Sequence, residues 1–193
     1  MAPIALLAAM ALFQGCAVKV VRTDAQPLDR NLGPVMAVIE DGDWVVIRGV
    51  DKPANFIGSM TNMPFSHSSI YDAEKDMVIE SEAEGVHYSP LSKYIGKAQR
   101  VWIVKPVWAT PENRHKAVER ARTRLGKPYD FLGLIGLQLP WAYYCTELVV
   151  DAWRPFMGGK EDNPIPRVIS PGRLHHWGRV VYDSMEIGDE RKH

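Results

Sequence analysis

The chain has 193 residues, 46% of them hydrophobic and 24% charged, the composition of one ordinary globular domain. That excludes a disordered chain, a collagen, a coiled coil and a polytopic membrane protein. Twenty-three basic side chains balance twenty-three acidic ones, leaving no electrostatic footprint for nucleic acid or an anionic membrane. Only two cysteines occur, Cys16 and Cys145. They are too few for a disulfide scaffold, and no Cys-x-x-Cys spacing suggests zinc.

Residues 4–13, Ile-Ala-Leu-Leu-Ala-Ala-Met-Ala-Leu-Phe, form an apolar run too short to span a bilayer as a helix. Its length suits the apolar core of a signal peptide. It leads into Gly15-Cys16, and a small residue before a cysteine at this place resembles the lipobox of bacterial lipoproteins. The resemblance implies that residues 1–15 are a signal peptide and that Cys16 is acylated. Attachment would then rest on the lipid, each buried CH₂ contributing about 0.8 kcal/mol. Ala17 after the cysteine, in place of aspartate, implies the periplasmic face of the outer membrane. A buried N-terminal helix, or a signal cleaved without lipid, is the alternative. Residues 16–38 mix charged residues with Pro27, Gly33 and Pro34 and read as a tether without periodicity.

The folded domain is expected over residues 39–183, with a polar tail over 184–193. Trp44-Val45-Val46-Ile47-Arg48 is a β-prone run. Ser68-Ser69-Ile70-Tyr71 and Met77-Val78-Ile79-Glu80 flank the polar turn Asp72-Ala73-Glu74-Lys75-Asp76, which predicts a hairpin. Gly85-Val86-His87-Tyr88 and Arg100-Val101-Trp102-Ile103-Val104 extend the sheet, and Arg179-Val180-Val181-Tyr182 is a last strand. Thr110-Pro111-Glu112 starts a helix, with Ala117, Val118, Ala121 and Leu125 on one face and Gly126 as its stop. Residues 133–139 are apolar and glycine-spaced, and their type is ambiguous. The fold class is therefore α+β, an antiparallel sheet with helices packed on it.

Cys145, Leu148, Val149, Ala152 and Trp153 share one face of a helix that Pro140 keeps from extending back. Cys145 then lies in the first turn, where the helix dipole and free N–H groups favour a thiolate and could stabilise an oxyanion. A lone cysteine is otherwise a packing residue. A thiol nucleophile needs a base. His115 reads as solvated and His175-His176 as surface residues. His67 lies at the mouth of a strand among Ser66, Ser68 and Ser69. A two- or four-residue turn centred on Glu74-Lys75 would set Ser69 opposite Glu80 and His67 opposite Glu82. Glu80 would then be a diagonal neighbour on the His67 face, able to orient the imidazole. A three-residue turn would reverse the parity and remove that contact. Solvent-facing strand acids are the alternative for both glutamates.

Gly42-Asp43-Trp44-Val45-Val46 resembles the strand opening of the NlpC-type, papain-like cysteine hydrolases. Ser66-His67-Ser68-Ser69-Ile70-Tyr71 is similar to their histidine strand, and Val78-Ile79-Glu80-Ser81 to the strand of the third polar residue. Gly126-Lys127-Pro128-Tyr129-Asp130-Phe131 and Tyr144-Cys145-Thr146-Glu147-Leu148-Val149 resemble the motifs around the nucleophile. Here the order is His67, Glu80, Cys145, and it resembles the circularly permuted branch, the YiiX-like group. The resemblance covers about residues 40–155. It implies a thiol hydrolase with Cys145 as nucleophile, His67 as general base and then acid, and Glu80 or Glu82 as orienting acid. Tyr129, Ser66 and Tyr144 become substrate or oxyanion candidates. No metal and no cofactor is called for, and a monomer is expected. The expected substrate is a peptide amide, with peptidoglycan stem peptides first. A lipid- or thioester-directed acyl hydrolase or transferase is the second reading, with Phe65, Trp141 and the run 132–139 lining an apolar groove. A non-catalytic binding lipoprotein is the third.

Overall fold

The computed structural model describes residues 29–49, 65–158 and 165–185. The signal-peptide, lipidation and tail readings over residues 1–28 and 186–193 lie outside the described residues. Six strands form one sheet: β1 Trp44–Gly49, β2 His67–Asp72, β3 Met77–Glu82, β4 Gly85–Pro90, β5 Ala98–Pro106 and β6 Gly178–Asp183. Their spatial order is β4-β3-β2-β1-β5-β6, with antiparallel pairing throughout. The central strand β1 reads Trp-Val-Val-Ile because both faces of the sheet are covered, so every position needs an apolar side chain.

Alternation along β1 divides the core into two layers. Trp44 and Val46 pack with Ile70, Ile79 and Val104 beneath two helices, α3 Pro111–Arg122 and α4 Cys145–Trp153. Val45 and Ile47 face the opposite way, with Tyr71, Val78, Val101 and Ile103. Two short helices cover that side, α1 Asp29–Met36 and α2 Leu91–Gly96. Leu91, Tyr94 and Ile95 of α2 and Val35 of α1 are buried there.

The expected strands and both expected helices are present. The α3 cap is also as read: the Thr110 hydroxyl accepts from the Asn113 N–H, with Pro111 in the first turn. Two local expectations are corrected, and one stretch of ambiguous type is assigned. The stretch read as an aperiodic tether contains α1, which Val35 holds in the core although the helix includes Pro34. Leu125 lies past the end of α3 and is 37% exposed, so the buried face ends at Ala121. The run 133–139 holds only a short 3₁₀ turn, Gly133–Ile135. Helix α2 is too short for a 3.6-residue period to be seen in the sequence.

Two contacts fix the ends of α4. The Trp153 indole N–H donates to the Gly42 carbonyl at 3.0 Å, beneath β1. At the other end, the Ser81 hydroxyl of β3 donates to the Tyr143 carbonyl at 2.6 Å. The segment leading to Cys145 is held against β4: the Val86 N–H donates to the Lys127 carbonyl and the Gly126 N–H to the Val86 carbonyl. Gly85 has φ +98°, and any Cβ there would meet the Lys127 carbonyl, so both the turn and this close approach require glycine.

Candidate active site

Helix α4 begins at Cys145. Tyr144 before it is extended, with φ −85° and ψ 169°, and no side chain caps the helix at that position. The first-turn N–H groups have no intrahelical acceptors, so their partial positive charge is available to the sulfur. Cys145 is 6% exposed, and Leu148, Val149, Ala152 and Trp153 are buried on the same face. The Thr146 hydroxyl lies 3.7 Å from Sγ, and the Ser68 hydroxyl donates to Thr146 at 3.3 Å. Burial alone would raise the thiol, but the charge and hydrogen bond of His67, the Thr146 hydroxyl and the Ser68 backbone outweigh it. The net direction is downward, toward thiolate.

His67 opens β2. The hairpin loop spans four residues between Asp72 and its partner Met77, so the predicted parity holds and Ser69 stands opposite Glu80. His67 Nε2 lies 2.7 Å from Glu80 Oε2 and 3.9 Å from Glu82 Oε1. Glu80 is fully buried and Glu82 is half-exposed, so Glu80 is the close partner of the ring. Burial opposes a charged imidazole, but Cys145 and then Glu80 overcome it and raise His67 to about 10. Burial likewise opposes a charged Glu80, yet His67, Ser89 and Lys97 hold it down at about 2. With Nε2 engaged by Glu80, Nδ1 is the nitrogen left for the thiol. The favoured state is a thiolate–imidazolium pair backed by a buried carboxylate.

Lys97, just past α2, completes the cluster. Its Nζ lies 2.7 Å from Glu82 Oε1 and 3.3 Å from Glu80 Oε2. His67, Glu80 and Glu82 place ligand atoms within 4.8 Å of one another, which is a donor set that could hold a metal. The ammonium already bridges the two carboxylates, and His67 is engaged by Cys145. A divalent ion would meet a fixed positive charge at contact distance, so these residues do not fit a metal as they stand.

The other candidates separate. Tyr129 is close enough to the thiol that, after burial, the Cys145 charge is the main influence on its hydroxyl. Both push it well above its usual range, so it stays protonated and can donate a hydrogen bond. The Ser66 hydroxyl accepts from the Gly49 N–H at 2.9 Å, and the Tyr144 hydroxyl accepts from the Ile169 N–H at 2.9 Å. Both are buried structural contacts rather than open substrate groups. Of the residues expected to line an apolar groove, Phe65 is buried beside the Trp102 ring. Leu132, Ile135, Leu137 and Trp141 are exposed on the segment before Cys145, which Asp130 pins by accepting from the Gly133 and Leu139 N–H groups. His115 and the pair His175-His176 are exposed, as expected. The sequence reading missed Thr146, Lys97 and Tyr94. Thr146 adjoins the cysteine and could have been found; Lys97 and Tyr94 reach the site only through α2.

A helix-start cysteine set against a histidine on an antiparallel strand, with the histidine first in the chain, defines a papain-like arrangement in permuted order. Residues 38–162 match the permuted papain-like amidase enzyme, YaeF/YiiX, C92 family, and the chain belongs to that family. Among solved structures it is similar to yiiX from Escherichia coli O157:H7, described as a metalloprotein. That likeness has a TM-score of 0.53 at 21% identity and covers 78% of this chain and 92% of the other. No curated protein matches the chain.

Proposed function

We propose that this protein is a cell-envelope cysteine amidase that cleaves peptide amides, peptidoglycan stem peptides being the first class to try, and that Cys16 anchors it through lipid. The observation that carries the reading is the continuous relay from Cys145 through His67 to the buried Glu80 carboxylate, 2.7 Å from the ring. Family membership supports the same class of chemistry. The Cys145 thiolate adds to the amide carbonyl carbon, and N–H groups at the start of α4 receive the developing oxyanion. Tyr129, whose hydroxyl stays protonated, donates a further hydrogen bond. The His67 imidazolium gives its proton to the leaving nitrogen as the C–N bond breaks, leaving an acyl-cysteine thioester. Neutral His67 then takes a proton from water, whose oxygen attacks the thioester, and the acid and free thiol are released. Glu80 orients the ring and stabilises its charged form throughout.

The test is incubation with stem peptides, with mass spectrometry of products and of the protein. Cleavage at an amide, a peptidyl adduct on Cys145, and loss of at least about 10⁴-fold in Cys145→Ala are expected. Cleavage undiminished in Cys145→Ala would overturn the reading.

A second reading, a lipid- or thioester-directed acyl hydrolase, is favoured by one observation. Phe131, Leu132, Ile135, Leu137 and Trp141 are between 44% and 71% exposed just before the cysteine. Apolar side chains in that position suit an acyl chain or a membrane surface. A fatty-acyl adduct on Cys145, in place of a peptidyl one, would select it.

A further inference from the structure

We infer that Lys97 is the resident cation of the His67–Glu80–Glu82 cluster, where it positions the Glu80 carboxylate for His67 and takes the place of a divalent metal. The positioning half rests on the proposed roles of His67 and Glu80; the metal half does not. Three groups fix the ammonium. It bridges Glu82 Oε1 at 2.7 Å and Glu80 Oε2 at 3.3 Å, and lies 5.1 Å from the centroid of the Tyr94 ring. That ring is itself anchored, because its hydroxyl donates to the Val45 carbonyl at 3.2 Å. The Lys97 backbone N–H donates to the Ile95 carbonyl, so the residue is tied to the end of α2.

Charge balance explains why a cation is needed. Two carboxylates face one imidazole here, and Glu80 is wholly buried. Its other oxygen, Oε1, is buried and has no partner within hydrogen-bond distance among the described residues, the nearest charged group being His87 Nε2 at 3.7 Å. Without the lysine, two carboxylates and the Cys145 thiolate would share a single imidazolium. That is the environment that draws in a divalent ion, with a histidine and two carboxylates as hard and borderline ligands. With the lysine, both carboxylates already hold a cation at contact distance. Lys97 also shares Oε2 with His67, so it limits how much negative charge the imidazole feels. The charged and titratable groups around that ring are Cys145 from α4, Glu80 and Glu82 from β3, His87 from β4, and Tyr94 and Lys97 from α2 and its end.

The experiment titrates Co²⁺ alone into the full chain and into Lys97→Met, Lys97→Arg and Lys97→Met/Glu82→Gln, reading visible absorption. Lys97→Met is expected to bind one ion at least about tenfold more tightly than the wild type, because a repelling charge is gone. Lys97→Arg is expected to exclude the ion as the wild type does, and the double variant to lose it. Equal affinity in wild type and Lys97→Met, or binding that survives in the double variant, would overturn the metal half. In parallel, the pH profile of Cys145 alkylation is expected to move its high-pH limb upward in Lys97→Met and to return in Lys97→Arg. Superimposable profiles would overturn the positioning half. A thiol unreactive in every variant would instead count against the proposed amidase chemistry and leave the cobalt result standing.

Discussion

Ser69 stands opposite Glu80 in the β2–β3 hairpin, and that register sends the Glu80 carboxylate out on the face that carries His67. The carboxylate reaches Nε2 at 2.7 Å, whereas Glu82 stops at 3.9 Å and lies closer to Lys97. Glu80→Gln keeps an acceptor but removes the charge, so imidazolium loses its main protein counter-charge besides the thiolate. Alkylation of Cys145 and amide cleavage are expected to fall by roughly 10²-fold in Glu80→Gln. Glu82→Gln is expected to change them several-fold at most. The opposite ranking would move the orienting role to Glu82.

The pair also sets the pH range of reactivity. Cys145 titrates below its ordinary range, and His67 is raised to about 10. The reactive ion pair therefore forms as pH rises through the lowered thiol value and is lost as pH rises through about 10. Iodoacetamide alkylation of the native protein should already be fast near neutral pH, where an ordinary thiol, at about 8.5, is slow. His67→Asn removes the stabilising cation and leaves burial to act, so the acid limb moves to higher pH. A wild-type limb at the ordinary thiol value would show that the sulfur is not activated. The same shift gives a stability term: the raised histidine stabilises the fold fully below its unfolded value of about 6.5. That contribution disappears as pH passes about 10.

How much of this was legible in the sequence depends on the range of the interaction. Cys145 at a helix start followed from its apolar spacing and from Pro140. The Glu80 contact followed from hairpin parity, because both strands and the turn lie within sixteen residues, His67 to Glu82. Lys97 was not legible, since it arrives from beyond β4 and nothing local marks a part-exposed lysine as packed against two glutamates. Helix α1 was missed because its sequence carries Gly33 and Pro34, and packing of Val35 overrides that poor propensity. Ser66 and Tyr144 sit beside His67 and Cys145 in sequence, yet their hydroxyls serve Gly49 and Ile169, partners far along the chain.

The scaffold under β1 is tied together by Arg114, which pairs with the buried Asp43 and with the exposed Glu40 at 2.9 Å. Arg114 of α3 reaches Asp43 Oδ1 at 2.6 Å and donates to the Asp41 carbonyl, and the Asp43 side chain is fully buried. Arg114→Met leaves that carboxylate without a cation, held only by the Glu40 N–H at 2.9 Å, and is expected to cost about 3–5 kcal/mol in chemical denaturation. Arg114→Met/Asp43→Asn removes the unpaired charge and is expected to recover part of the loss. If the double variant is no more stable than the single one, the damage comes from lost arginine packing instead.

Glu147 gives a prediction of opposite sign. It is the third residue of α4, and the nearby Tyr144 backbone N–H acts to favour its charged form. Its Oε2 is buried without a hydrogen bond among the described residues. Burial, followed by the charge of Asp130, raises the carboxyl to about 7. A raised acid binds more protons folded than unfolded between its ordinary value of 4.5 and about 7. Its effect on stability is therefore nil below about 4.5, grows more unfavourable as pH rises through that window, and is complete above 7. Glu147→Gln retains a side-chain acceptor of the same shape and carries no charge at any pH. Urea midpoints measured from pH 4 to 8 should coincide for the two proteins at the acid end, and the variant should become the more stable one as pH rises. A variant that is less stable at pH 8 would mean that the charged carboxylate's interaction with the N-terminus of α4 outweighs its burial.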